Sequence, residues 1–397
     1  EKLRQVADEA EQARDKLCDY YTAFLHARET ELRGPRQQET LAEIAKEIEN
    51  IRVSWRWAII RNKAAAIERA MECLWYFYAM YGWFREGAEM FERAVVTFRK
   101  RSPSPNEAPA DQLQADLLAK LGWFYLRQGQ YERAQTVLEQ SLTISTTLNN
   151  NEKRAAPLHF LGLLAGQGGD LFQAVEKLQS SLNLYRDAGN RWETTWVLSH
   201  LAYHLSQFDP ASRAEAIAML QESLSIYKAV GNQQGMAIAL NSLGYIFSQQ
   251  GDYPTARKLL EESLAIRRAI GFPRGIAVTL NNLGLVTMAL DDLDASQKYY
   301  EESLEIAVDV DALPQALAAL AGIAGILARA GQPSRAGEIL SVVLNHPASN
   351  EETRQRAKKI LNNLVTNATA PPIEASTKTF EKIVADILQR TVSEHAN

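Results

Sequence analysis

Apolar residues recur along this chain at two scales. Within short stretches they return every three or four positions, the spacing of a helix with one buried face, and the whole arrangement then repeats about every forty residues. Six blocks open on a matching pair: Leu121-Gly122, Leu161-Gly162, Leu201-Ala202, Leu243-Gly244, Leu283-Gly284 and Ile323-Ala324. Eight residues after each anchor stands a turn residue, Gly129, Gly169, Asp209, Gly251, Asp291 or Gly331. Twenty-one residues after five of them stands an apolar residue, Leu142, Leu182, Leu264, Leu304 or Leu344, and Leu224 completes the set once two extra residues near Asp209-Pro210 are allowed. From Leu243 the pattern predicts a helix closed by Gly251, then a second helix from about Tyr253 to Ile270 with Ala256, Leu260, Ser263 and Leu264 inward. Gly244 and Ala256 are small, so the paired helices can approach; the equivalents of Ala256 are Gly87, Ala134, Ala174, Ala216, Ser296 and Ala336. Gly189-Asn190, Gly231-Asn232 and Gly271 end second helices. Stacked copies of one helical hairpin make an all-α solenoid, whose surfaces bind partners more often than they catalyse.

A weaker seventh copy lies upstream, where Leu74, Gly82, Gly87 and Val95 keep the same offsets. The proline-rich stretch Ser102–Pro109 separates it from the regular array. The expected organisation is an N-terminal helical adaptor over 1–62, formed by two long helices around the charged segment Arg28–Gln38. A degenerate first repeat over 63–101 and six repeats over 111–345 follow, then a capping helix over 350–365, a linker over 366–378 with Pro371-Pro372, and a short helix over 379–395. The chain starts at Glu1 without a methionine, inside a charged helical pattern, and is expected to be a piece of something larger.

The repeat resembles the tetratricopeptide repeat: Leu-Gly in the first helix, Tyr131 or Tyr253 near the turn, then Ala, Leu and Ala or Ser in the second, over residues 111–345. The resemblance implies a right-handed superhelix. The chain departs from it in lacking the usual proline after the second helix; Thr146, Arg186, Lys228 and Arg268 stand there, so that helix can run on and lengthen the period. A second resemblance covers residues 15–100, through Asp19-Tyr-Tyr, Leu32-Arg-Gly-Pro35, the run Ile48 to Ala58 with Trp55 and Trp57, and the run Leu74 to Gly87. It is similar to the segment that follows the nucleotide-binding module in bacterial STAND-class signalling ATPases (the NB-ARC type) and related transcriptional regulators. That implies a C-terminal sensor region receiving an inducer or partner, covalently linked to an upstream nucleotide-binding module that these residues do not contain.

Composition narrows the chemistry. Apolar residues make up 46% and charged residues 23%, ordinary for a globular chain, and a net charge of −5 without clustered lysine or arginine argues against direct nucleic-acid contact. Cys18 and Cys73 give neither a disulfide framework nor a metal spacing, so a cytoplasmic setting is expected, with no membrane segment and no signal peptide. No Gly-x-x-x-x-Gly-Lys-Ser/Thr loop and no Gly-x-Ser-x-Gly elbow is present, and no catalytic residue or cofactor is predicted. His200 and His204, four apart on one helix, are the best metal candidates, but no third ligand is evident and packing is the preferred reading. The aromatic run Trp75–Phe84 is read as core; Phe124 and Tyr125 are expected to pack while Trp123 faces the groove.

The concave wall is expected from the first helices, at positions two before, two after and six after each anchor. Two before stand His159, Ser199, Asn241 and Asn281; two after, Trp123, Leu163, Tyr203, Tyr245 and Leu285; six after, Arg127, Gln167, Gln207, Gln249 and Ala289. The stripe is polar and nearly uncharged, and its lack of lysine argues against a carboxylate clamp. Asparagine can pair with a peptide N–H and C=O together, and Asn241 and Asn281 resemble the backbone-holding asparagines of kinesin light chain and peptide-sensing bacterial regulators. The expected function is a non-catalytic module that takes a peptide, a protein segment or a small inducer in its groove. The alternatives are a scaffold using its outer face or C-terminal helix, and a metal-dependent activity at His200 and His204.

Overall fold

The computed structural model describes residues 2–99, 108–366 and 378–394; side-chain surroundings are described from residue 8 to 98, 111 to 366 and 378 to 389. Among these residues every regular element is helical. The adaptor contains α1 (Lys2–Arg28), α2 (Gln37–Lys46) and α3 (Ile48–Ile60), and a first hairpin pairs α4 (Ala64–Tyr81) with α5 (Phe84–Arg99). The regular array pairs α6 (Ala108–Arg127) with α7 (Tyr131–Thr147), α8 (Asn151–Gln167) with α9 (Leu171–Asp187), and α10 (Arg191–Phe208) with α11 (Arg213–Ala229). It continues with α12 (Gln233–Gln249) and α13 (Tyr253–Ala269), α14 (Pro273–Ala289) and α15 (Leu293–Asp309), α16 (Leu313–Arg329) and α17 (Pro333–Asn345). Then come α18 (Glu351–Thr366) and α19 (Phe380–Glu394). Most of the segment Ser102–Pro109 and of the 366–378 linker lies outside the described residues.

The turns follow the sequence. Gly129, Gly169, Gly251 and Gly331 have φ between 73° and 85°, and Asp291 has φ 63°, the left-handed geometry that ends a first helix. Asp209 differs: its backbone is extended and its carboxylate accepts from Ala211 N–H, starting the short 3₁₀ turn Pro210–Ser212 that absorbs the two extra residues. The adaptor also differs from expectation. Its second long helix breaks at Glu47, whose carboxylate accepts from Tyr21 Oη at 2.6 Å and from Asn50 Nδ2 at 2.9 Å, tying the break to α1.

The small residues act as the spacing implied. A Cβ on Gly244 would lie 2.7 Å from Leu260 Cγ, and one on Gly122 would lie 2.5 Å from Leu138 Cγ, so nothing larger than hydrogen fits. Serine adds a repeated clasp: Ser141, Ser181, Ser263 and Ser303 donate at 2.7–2.9 Å to the carbonyls of Ala115, Ala155, Ala237 and Ala277 on the preceding helix. The third hairpin carries Thr195 where the others carry that alanine, and its Ser223 donates within its own helix to Met219 O instead.

Tyr300 is the tightest instance. Its ring is fully buried between two first helices: a Cβ on Gly284 would lie 2.7 Å from its Cε1, and one on Gly322 would fall closer still to its Cζ. Because this ring cannot move away from both, Gly322→Ala is expected to cost about 2 kcal/mol in urea melts, with Tyr300→Leu restoring part of the loss. Equal melting of Gly322→Ala and wild type would contradict that packing.

The superhelix winds until its parts touch. Asn232 Nδ2 donates to Arg33 O at 2.8 Å, and Gln38 donates to Ala269 O, so the adaptor loop sits against the α11/α12 and α13/α14 turns. Gly82 in the first hairpin lies against Val310 and Pro273, and Gly129 against Ala348 and Pro314. The C-terminal helix α19 is docked, with Ile383, Val384 and Ile387 buried.

Candidate functional site

Inside this winding lies a cavity of about 430 Å³. Its wall comes from the inner faces of α6, α8, α10, α12, α14 and α16, and α18 crosses it. The sequence pattern makes that last helix a cap on the stack. It does pack on α16 and α17 and also reaches over the channel, held there by Tyr203 Oη and Tyr245 Oη donating to Glu352 at 3.3 and 3.1 Å and by Asn350 Nδ2 donating to Gln167 Oε1 at 3.0 Å. Tyr131 Oη donates to Ala348 O at 3.1 Å just before it.

The residues that line the cavity show where the inward stripe runs. Trp123, Arg127, Gln167, Tyr203, Asn241, Gln249 and Asn281 are among them; His159, Ser199, Gln207 and Tyr245 are not. His159 and Ser199 are 0% exposed, wedged between neighbouring first helices. Asn241 and Asn281 reach the cavity but also bridge helices: Asn241 Oδ1 accepts from Asn282 Nδ2 at 3.2 Å, and Asn281 Nδ2 donates to Gln315 O at 3.0 Å. The position one before the anchor faces inward as well, through His200, Ser242 and Asn282, and so does the position five before it, through Trp196, Ile238, Val278 and Ala318. Inward positions therefore fall at nine, five and one before the anchor and two and six after it, steps of three or four that follow one helix face. The position two before the anchor lies at the edge of this face, reaching the cavity at Asn241 and Asn281 but not at His159 or Ser199, and the sequence stripe stopped short at its N-terminal end.

That shift hid the charge. Arg274 opens α14 nine residues before its anchor, in the slot that Gln234 and Pro314 fill in the neighbouring repeats, and Arg356 comes from α18. Arg267 comes from a second helix, twenty-four residues after its anchor. Four other repeats place Ser145, Tyr185, Tyr227 and Ala307 there, all buried, and the last places Pro347. Together with Arg127 these give, among the described residues, four guanidinium groups on the lining, with Glu352 the one carboxylate and no lysine.

An aromatic layer closes the channel above them. Trp75 packs on Trp123 and Trp196 with ring centroids 5.1 and 5.9 Å apart, and His159 meets Trp196 at 4.7 Å. The aromatic run Trp75–Phe84 is largely core, although Trp83 is partly exposed. Phe124 and Tyr125 are buried, Phe124 filling the space over Gly87. Beyond the layer the charges are paired: Lys120 Nζ meets Glu72 at 2.9 Å, Arg33 lies 3.5 Å from Glu72, and Lys153 meets Asp116 at 2.6 Å.

The histidines do not converge on a metal. His159 Nε2 and His200 Nδ1 are 2.9 Å apart, so one donates and the other must be a neutral acceptor. The His204 ring lies instead over Gly166. No group of three His, Cys, Asp or Glu among the described residues could hold a metal ion. Burial drives the pKa of His159 and His200 well below the usual value and that of His204 down to about 4. Among the described residues no helix is long and apolar enough to cross a membrane.

With this geometry in place, comparison with known proteins is informative about the fold. The family model described as tetratricopeptide repeat matches residues 112–187, 193–269 and 275–345. No curated protein matches the chain. Among solved structures, a Rap protein complexed with Competence and Sporulation Factor is similar at 14% identity and TM-score 0.52, over 90% of this chain and 99% of that one. NprR in complex with its cognate peptide NprX is similar at 13% identity and TM-score 0.52, over 89% and 100%. A STAND protein with a tetratricopeptide repeat sensor from Pyrococcus horikoshii aligns at 16% identity and TM-score 0.45, over 86% of this chain; the chain spans about half of that protein, 54%.

Proposed function

The chain belongs to the tetratricopeptide-repeat family, and on that footing we propose that it is a non-catalytic sensor module whose ligand, a small inducer or the end of a peptide or protein segment, binds in the cavity beneath α18. The observation that carries this reading is the unfinished polar lining of an otherwise well-packed interior. Asn281 Oδ1, Gln234 Oε1 and His204 Nδ1 are buried there without a hydrogen-bond partner among the described residues. A buried polar atom left unpaired costs about 1–3 kcal/mol, so several at one cavity favour an occupant that pairs them. The volume falls in the range of small-molecule sites. Two proteins of similar fold were solved with a factor or a cognate peptide bound, which supports a ligand-receiving role.

The signal is carried by α18. Tyr203, Tyr245 and Gln167 hold it across the cavity, so a ligand that fits only with α18 in one place shifts the population toward that place by its difference in affinity. The wider setting, a sensor region within a larger bacterial signalling ATPase or transcriptional regulator, rests on the resemblance of residues 15–100 to the segment after a nucleotide-binding module.

The test is native mass spectrometry of the chain isolated from its natural source. A co-purifying mass of a few hundred daltons is expected on the wild type and lost from the Asn241→Ala/Asn281→Ala variant, with far-ultraviolet circular dichroism of the two superimposable. A wild-type mass equal to that of the bare chain would count against the proposal.

A further inference from the structure

From the four arginines of the cavity we infer that the ligand carries an oxyanion, a carboxylate or a phosphoryl group, gripped between Arg127 on α6 and Arg267 and Arg274 around the start of α14. The inference rests on the cavity being a ligand site and deepens it by naming the ligand's charge.

Pairing separates these arginines from the other inward cations. On the far side of the aromatic layer Lys120, Lys153 and Arg33 each meet a carboxylate within 4.0 Å. On the cavity side Arg127, Arg267, Arg274 and Arg356 meet none within that distance among the described residues. Arg267 is 4% exposed, yet it has only neutral partners, the Gly275 carbonyl and Thr279 Oγ1 at 2.7 Å. The Nε of all four is buried without an acceptor. Glu352, the acid on the lining, is turned to Tyr203 and Tyr245.

A guanidinium kept from water and from a counter-charge, as Arg267 is, is costly, and the half-buried Arg127, Arg274 and Arg356 beside it add mutual repulsion. Burial and the neighbouring Arg274 hold Arg127 well below its usual pKa; the same two causes bring Arg267 to about 9, and burial brings Arg274 to about 10. Natural sequences keep such an arrangement where something supplies the missing charge. Guanidinium forks match carboxylate and phosphate oxygens in pairs. Trp123, beneath Arg127 at 4.9 Å from its guanidinium carbon, with Trp196 and the amides of Asn241 and Asn282, gives the remainder of the ligand an apolar face and a polar one.

The test uses the purified full chain and two probes, inorganic phosphate and succinate, each against sodium chloride at equal ionic strength. One or both are expected to raise the wild-type melting temperature by about 3–5 °C at roughly 10 mM; the probe that acts says whether the oxyanion is phosphoryl or carboxylate. Arg127→Met and Arg274→Met are each expected to melt at or above the ligand-free wild type, because a repelling charge is removed, and to lose the response. Silence of both probes, an undiminished response in the variants, or variants that melt well below wild type would each overturn the inference. A co-purifying uncharged ligand together with silent probes would sink the anion assignment and leave the sensor reading standing.

Discussion

Acidifying the ligand-free protein from about pH 7 to about pH 5 is expected to remove roughly 2 kcal/mol of stability through His204, with His159 acting in the same direction. Both side chains are buried, at 0% and 3% exposure, and burial depresses both pKa values, His204 to about 4. The sign follows from proton counting. Below the ordinary value of ~6.5 the unfolded chain binds a proton at each ring while the folded chain does not, so stability falls by about 1.4 kcal/mol per histidine for each pH unit. The contribution is whole above ~6.5 and is lost progressively as pH drops toward the folded values. His200, also depressed, adds in the same direction. Asp116 and Glu193 oppose it, because burial raises both, and the folded chain then takes up their protons before the unfolded chain does. The readout that isolates the histidines is the slope of urea-melt stability against pH, compared between wild type and His159→Gln/His204→Gln. The variant is expected to be flatter by at least about 1 kcal/mol per pH unit between ~6 and ~5, the share of His204 alone; parallel slopes would refute the assignment.

How much of this molecule is visible in its sequence depends on whether a feature repeats. Gly244, Ala256 and Leu264 recur in register because every hairpin meets the same packing problem, so helix pairs, turns and small-residue contacts are legible from the spacing of residues alone. The two-residue extension at Asp209 is also legible, since it displaces an otherwise constant offset. Features that occur once are not. Nothing periodic announces that α2 ends at Glu47, because that break is set by Tyr21 and Asn50. The path of α18 across the channel depends on Tyr203 and Tyr245, which the sequence pattern assigns to a ligand. The cavity's charge escapes for a related reason. Two of its four arginines, Arg267 and Arg356, lie off the first helices, and Arg274 lies nine residues before its anchor, beyond the positions from which the groove is read; they meet only because the superhelix winds tightly. A signal does exist: Arg267 stands where four other repeats carry buried tyrosine, serine or alanine, and a charged residue in a slot mostly filled by core raises the question of its counter-ion.

Lys120→Met is expected to cost about 3 kcal/mol, the largest loss from any single charge removal along the channel. Lys120 is 6% exposed, its ammonium lies 2.9 Å from the Glu72 carboxylate and 3.9 Å from the Trp75 ring centre, and the nearest other cation, Arg33, is 3.5 Å from Glu72 and shared with Glu193 at 4.0 Å. Methionine keeps the volume but leaves the half-buried Glu72 only half-neutralised, and an under-compensated, partly buried charge costs more than the pair was worth. Glu72→Gln/Lys120→Met is therefore expected to recover most of the loss in urea melts. The cost should also shrink in acid, because Glu72, held low by Lys120 and Arg33 in the wild type, takes a proton more readily once Lys120 is gone. A double variant as unstable as the single one would contradict this. Two turns along the same helix, Arg127→Met removes the same unit of charge and is expected to leave stability unchanged or raised. One helix then carries a cation that the fold has already satisfied and a cation that it has left for something else to satisfy, with the tryptophan layer between them. Opposite signs from two like substitutions would separate structural charge from receptive charge without the ligand having to be known.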